Sequence, residues 1–170
     1  MKTLSVLVFA LLALFSSPAA FAQRVVLDDS LSPRQNFSLD LKWGPRDVQR
    51  ALGALFTDQN SLLPPVSGHM SGVEVRLDTS KFVGQRARIF LLIPAGIAGD
   101  SSGGTLEVAW QARGVFESGS ARPGQAVLIY EGLLEEPITS GTFDFAITAA
   151  SAGVTDSFSF ELTYELEVIN

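Results

Sequence analysis

The sequence predicts an all-β chain, an antiparallel β-sandwich of about eight strands, immunoglobulin-like or jelly-roll-like, with one short helix near residues 45–56. Three observations carry that expectation. From Ser157 to Val168 every even position is apolar and every odd one is hydroxylated or acidic, a sorting that a strand produces and a helix does not. Shorter alternations recur along the chain, separated by clusters of Gly, Pro, Ser and Asp. Helical spacing shows in a single place, where Val48, Leu52 and Leu55 follow Pro45 and Asp47.

Taken in order, Met1 to Ala22 reads as a secretory signal peptide. Lys2 supplies the positive start, Leu4 to Phe15 the apolar run, and Ala20-Phe21-Ala22 an A-x-A cleavage site before Gln23. The expected mature chain, residues 23–170, has the size of one domain. No later apolar run approaches the length of a spanning helix, so no transmembrane segment is expected after the leader is removed.

Arg24 to Leu27 reads as a short edge strand, and Phe37 to Trp43 as a longer one with Phe37, Leu39, Leu41 and Trp43 on one face. After the helix, residues 57–72 read as a loop containing His69. Val73, Val75 and Leu77 begin a half-buried strand, which Asp78 to Lys81 turns. Arg86 to Ile93 becomes continuously apolar before Pro94, as a central strand buried on both sides at its end would. Residues 96–104 form a glycine-rich connector, and Leu106, Val108 and Trp110 face inward on the next strand. Ser118 to Gly124 reads as the loop of a hairpin whose returning strand is Ala126 to Glu131. Phe143, Phe145 and Ile147 give one more inward face before the final strand.

Composition excludes several classes. The chain has no cysteine, which removes disulfides, thiol nucleophiles and thiolate metal sites. An exported domain without disulfides points to a bacterial periplasmic or extracellular protein. Loss of Lys2 leaves 11 basic against 18 acidic residues, a formal charge of −7 that repels phosphate backbones, so no nucleic acid partner is expected.

Residues with chemical potential are few. Gly99-Asp100-Ser101-Ser102-Gly103-Gly104 resembles the nucleophile segment of chymotrypsin-like proteases with one serine inserted. That chemistry needs a histidine base, and the only histidine, His69, lies 32 residues upstream without that family's sequence around it. Chaperone-usher pilus subunits typically carry a disulfide and a detachable N-terminal donor strand; this chain has no cysteine, and residues 24–36 alternate poorly across Asp28, Asp29 and Pro33. No catalytic, cofactor-binding or metal residues are assigned. The candidate surface is an acidic strand face of Glu161, Glu165 and Glu167, with Asp144 placed beside it on a neighbouring strand. Calcium is a possible ligand there; cross-strand pairing with Arg76, Arg86 or Arg88 is the favoured reading. The four aromatic residues Trp43, Trp110, Tyr130 and Tyr164 share the apolar phase of their strands and read as core.

The function expected from this inventory is that of an exported, non-enzymatic β-sandwich acting through a protein partner or through self-assembly, its long terminal strands offering edges for strand addition. The alternative is a binding module for a glycan, peptide or cation that uses the 57–72 and 96–104 loops; a hydrolase is the least supported class.

Overall fold

The computed structural model describes residues 24–33, 39–40, 48, 53, 66–95, 98–100, 106–149, 154–159 and 161–169. Eight of the strands found there form two antiparallel four-stranded sheets packed face to face. In the first sheet the order is β1 (Val25–Val26), β11 (Thr163–Val168), β4 (Arg86–Leu92), β8 (Ala126–Leu133). In the second it is β3 (Val66–Asp78), β9 (Ile138–Ala149), β6 (Glu107–Gly114), β7 (Gly119–Ala121). The all-β sandwich expected from the sequence is therefore the architecture observed.

The alternation of apolar residues decides which face of each strand goes inward. Val73, Val75 and Leu77 of β3, Ala87, Ile89 and Leu91 of β4, Val108 and Trp110 of β6, and Tyr164 and Leu166 of β11 are all buried in one core. Phe143 stacks on Phe145 at 5.6 Å and on Phe116 at 5.3 Å, tying the turn after β6 to the middle of the second sheet. Trp110 is buried with its indole N–H donating to the Glu117 carbonyl at 3.0 Å.

The expected final strand, Ser157 to Val168, divides in two. β10 (Val154–Ser159) and β11 are separated at Glu161 and Leu162. Leu92 pairs with Thr163, so Pro94 falls opposite Glu161, and a proline offers the ladder no N–H. Beyond the break, β10 lies between β2 (Leu39–Asp40) and β5 (Ala98–Asp100) in a small third sheet. Its order, β2-β10-β5, parallels the order β1-β11-β4 of the first sheet.

Other expectations are corrected by pairing partners that lie far away in sequence. Ser67 to Gly72, read as loop because of its Gly and Ser content, lies in the first half of β3; Ser67 to Met70 pair with β9 from Thr148 to Phe145, and Ser71 and Gly72 follow at a break in register. The hairpin of β6 closes through residues 115–118 onto β7, with Val108 opposite Ala121; Ala126 to Leu133 crosses to the first sheet and pairs with β4. At the end of β4 the outward residues Phe90 and Leu92 are half-buried, where the sequence implies burial on both sides. The final strand is flanked by β1 and β4 and so offers no edge. Of the expected helix over 45–56 only Val48 and Gly53 are described, both with helical backbone; the rest lies outside the described residues, as does Trp43.

One buried polar pair fixes the end of the sandwich. Thr79 donates its hydroxyl proton to the Glu136 carbonyl at 3.0 Å, so the 3.1 Å contact between the two threonine hydroxyls must be donated by Thr139. Nearby, Gly141 marks a close approach: a Cβ there would lie 2.5 Å from the Phe116 ring and 2.8 Å from the Arg113 carbonyl oxygen. Gly141→Ala is expected to destabilise the fold by about 1–3 kcal/mol through overpacking, read as a lowered urea midpoint with an unchanged slope.

Candidate functional site

Among the described residues the outward side of the first sheet gathers most of the charge pairing. Register places Glu167 opposite Arg88 and Arg88 opposite Glu131, and Arg24, one residue before β1, continues the row beside Glu167. Across the four strands the row reads Arg24, Glu167, Arg88, Glu131, alternating in sign at every step. Arg24 Nε lies 3.5 Å from Glu167, Arg88 Nη1 3.9 Å from Glu167, and Arg88 Nε donates to Glu131 at 2.8 Å. That last hydrogen bond holds the Glu131 carboxyl below the ordinary range and raises the Arg88 guanidinium.

Arg24 does more than complete the row. Its Nη1 reaches Glu165 at 3.4 Å, and its guanidinium carbon sits 3.8 Å from the centre of the Phe90 ring. Phe90 is opposite Leu128 in the ladder, and Leu92 lies two residues further along the same face of β4. Phe90, Leu92 and Leu128 are each half-buried, an apolar strip running beside the charged row. The sequence reading missed Arg24 because its place in the row follows from register, which no local pattern encodes.

Of the four acidic residues singled out from the sequence, the structure brings two together. Glu165 and Glu167 share the outward face of β11 and are paired to Arg24 and Arg88. Arg76, one of the arginines expected to pair with them, instead meets Glu74 at 2.6 Å on the second sheet. Glu161 is exposed in the break between β10 and β11, where its charge acts on Asp29.

Asp144 belongs to the second sheet, since β9 and β11 do not pair. There Ser71 and Gly72 bulge from β3 opposite it, with Gly72 at φ +74°, a conformation that favours glycine. One Asp144 oxygen accepts from the Gly72 N–H at 2.7 Å and from Arg113 at 2.9 Å. Asp144 is thus a structural clamp on a bulge.

The remaining candidates are dispersed. His69 is exposed on β3 opposite Ala146. Gly99 and Asp100 lie in β5, and Ser101 to Gly104 fall outside the described residues. Of the two loops considered for a ligand, 66–72 and 98–100 are strand, and the rest of both spans lies outside the described residues. Among the described residues no group of three or more His, Asp or Glu side chains could hold a metal ion, and no helix is long and apolar enough to cross a membrane. Comparison of the chain with protein-family models, with curated proteins and with solved structures gives no match.

Two predictions come from these carboxylates. Asp144→Ala hands the exposed Gly72 N–H from a carboxylate acceptor to water and is expected to cost about 0.5–1.5 kcal/mol, whereas Arg113→Ala, which removes one exposed ion-pair partner and leaves the bulge bond in place, costs less, well under ~1 kcal/mol. Urea melts of the two variants measure both, and equal losses would show that the ion pair matters and the bulge does not.

Asp29 behaves in the opposite sense from a paired carboxylate. Burial raises its pKa from the ordinary value of 3.8, and the charges of Glu161 and Asp28 add to the rise. A carboxyl raised on folding stabilises the fold below its unfolded pKa, and that contribution is lost as pH rises through the folded pKa. Asp29→Asn is therefore expected to be more stable than the parent at pH 7, with the advantage vanishing towards pH 3.8 and below, in thermal melts across that range.

Proposed function

We propose that this is an exported, non-enzymatic β-sandwich protein that acts through contact with a protein partner, and that the outward face of the first sheet is the contact surface. The observation that carries the reading is the apolar strip of Phe90, Leu92 and Leu128 beside the charged row of Arg24, Glu167, Arg88 and Glu131. An apolar centre bordered by oriented charge is the anatomy of protein interfaces, the first part excluding water and the second fixing register. A sheet presents both on a rigid backbone, so little ordering entropy opposes contact.

Faces are favoured over edges for a reason of hydrogen bonding. Strand addition needs unpaired backbone groups, and the outer edge of β3 is capped where Ser32 Oγ accepts from the Arg76 N–H at 2.8 Å and donates to the Arg76 carbonyl at 3.2 Å. On β8, the Ile129 carbonyl accepts from the Glu117 N–H at 2.7 Å. Export rests on the leader pattern of residues 1–22, and the absence of cysteine from an exported domain favours a bacterial periplasm or the outside of the cell.

A photo-crosslinking side chain placed at Leu128, with one at Ser120 on the second sheet as control, tests the surface in cells that express the full-length chain. The expected result is a discrete crosslinked species from position 128 and none from 120, with the intact mass of the recovered protein showing cleavage after Ala22. Equal adducts from both sites, or none from 128, would remove the surface; an uncleaved product would remove export.

A further inference from the structure

We infer that the partner for this face is a second copy of the chain, docked about a two-fold axis that runs parallel to the strands of the first sheet. The inference rests on the reading above that this face is a contact surface, and it is carried by the sign pattern of the charged row. A two-fold axis lying in the interface and parallel to the strands maps the first strand of one sheet over the last strand of the other. Arg24 then faces Glu131 of the second copy, and Glu167 faces its Arg88, so each of the four charges meets its opposite. An axis perpendicular to the strands and running along the row would put every charge over its own like, and one displaced from the row would leave the charges facing other rungs, so the axis parallel to the strands is the one that pairs all four.

The complementarity exists because the row has an even number of members with strict alternation. Remove Arg24, and the remaining three residues map an acidic end onto an acidic end. Arg24 comes from the short strand β1, so this strand both borders the first sheet and completes the pattern.

Distances allow the arrangement. Four strands at roughly 4.8 Å spacing make a row about 14 Å long. Facing sheets rotated by roughly 30° displace its ends by about 4 Å, within the reach of arginine and glutamate side chains. The next rung reads Val26, Glu165, Phe90, Leu128, so the same axis sets Leu128 of one copy over Val26 of the other and Phe90 over Glu165, whose carboxylate keeps its own Arg24 as partner; Val26 is 64 % exposed in the single chain.

Light scattering of the exported protein across a concentration range tests this. The expected result is a mass rising towards twice that of the single chain and falling back as salt is raised, because the facing charges are screened. The double variant Arg24→Glu with Arg88→Glu makes the row uniformly acidic, and Glu131→Arg with Glu167→Arg makes it uniformly basic. Each alone is expected to self-associate about a hundredfold more weakly or worse, and an equimolar mixture to restore the doubled mass. Should either double variant fail to fold, the wild-type salt series and Leu128→Arg, which buries a charge in the contact, give the same decision. A wild type that stays single at every concentration overturns the two-fold contact, while a Leu128 crosslink to a different protein would leave the contact face standing. A doubled mass that neither salt, charge reversal nor Leu128→Arg alters overturns both.

Discussion

Two stacked sheets have four border strands, and the outer backbone groups of each need partners that the ladder does not provide. Much of this molecule is arranged by how the chain meets that constraint. On one side, residues 27–32 cross from the first sheet to the second. The Leu27 N–H donates to the Tyr164 carbonyl, the Asp28 carbonyl accepts from the Asp78 N–H, and the Ser32 hydroxyl serves both backbone groups of Arg76. On the other side, the turn after β6 carries Phe116 into the core and the Glu117 N–H onto β8. The chain has no cysteine to clip its sheets together, so these crossings and the shared core are what the described residues offer for holding them in register.

That solution has a consequence for recognition. Where a border is covered in this way, at Arg76 and Asp78 of β3 and Ile129 of β8, it is a poor template for an incoming strand, which favours side chains on the faces as the source of specificity. The two faces differ in what they offer. The second sheet uses its outward charges locally, Asp144 holding a bulge and Glu74 holding Arg76, and its middle rungs carry small residues such as Ala109 and Ala146. The first sheet sets charges in a row that crosses all four strands and places an aromatic ring beside them. Only the latter carries a pattern a partner can read over the width of a sheet.

Legibility from sequence follows the same division between local and distant causes. Which side of a strand faces inward is written in alternation over five or six residues, and the inward faces of 73–77, 106–110, 143–147 and 162–166 were readable for that reason. Pairing is set by residues tens of positions away. Phe143 to Ile147 was readable as a strand but not as a strand of the other sheet from Tyr164, and Asp144 was accordingly placed beside the wrong carboxylates. Ser67 to Gly72 carries loop chemistry, yet a long neighbour, β9, overrides it by pairing with Ser67 to Met70, and the loop chemistry survives only as the bulge at Ser71 and Gly72. The break at Glu161 was written in the sequence, but in Pro94 of the partner strand. For the site, Glu165 and Glu167 were legible as one face, while their link to Arg24 required knowing that β1 borders β11.

Arginine is what makes the face work. Of the 11 basic residues in 23–170, nine are arginine, and among the described residues the position that makes most use of the difference from lysine is Arg24. A planar guanidinium can lie over a ring while its edge nitrogens reach two separate carboxylates; a lysine ammonium is a point charge and must choose. Arg24 contacts Phe90 through its face and Glu165 and Glu167 through different nitrogens, which fixes a side chain that would otherwise sweep a wide volume at the margin of the sheet. The same contacts cover part of the Phe90 ring and hold a two-residue strand that has few hydrogen bonds of its own. A face whose charges are already ordered loses less side-chain entropy on contact than one whose charges are free. The pairing within the single chain is therefore also what prepares its outward face to be recognised.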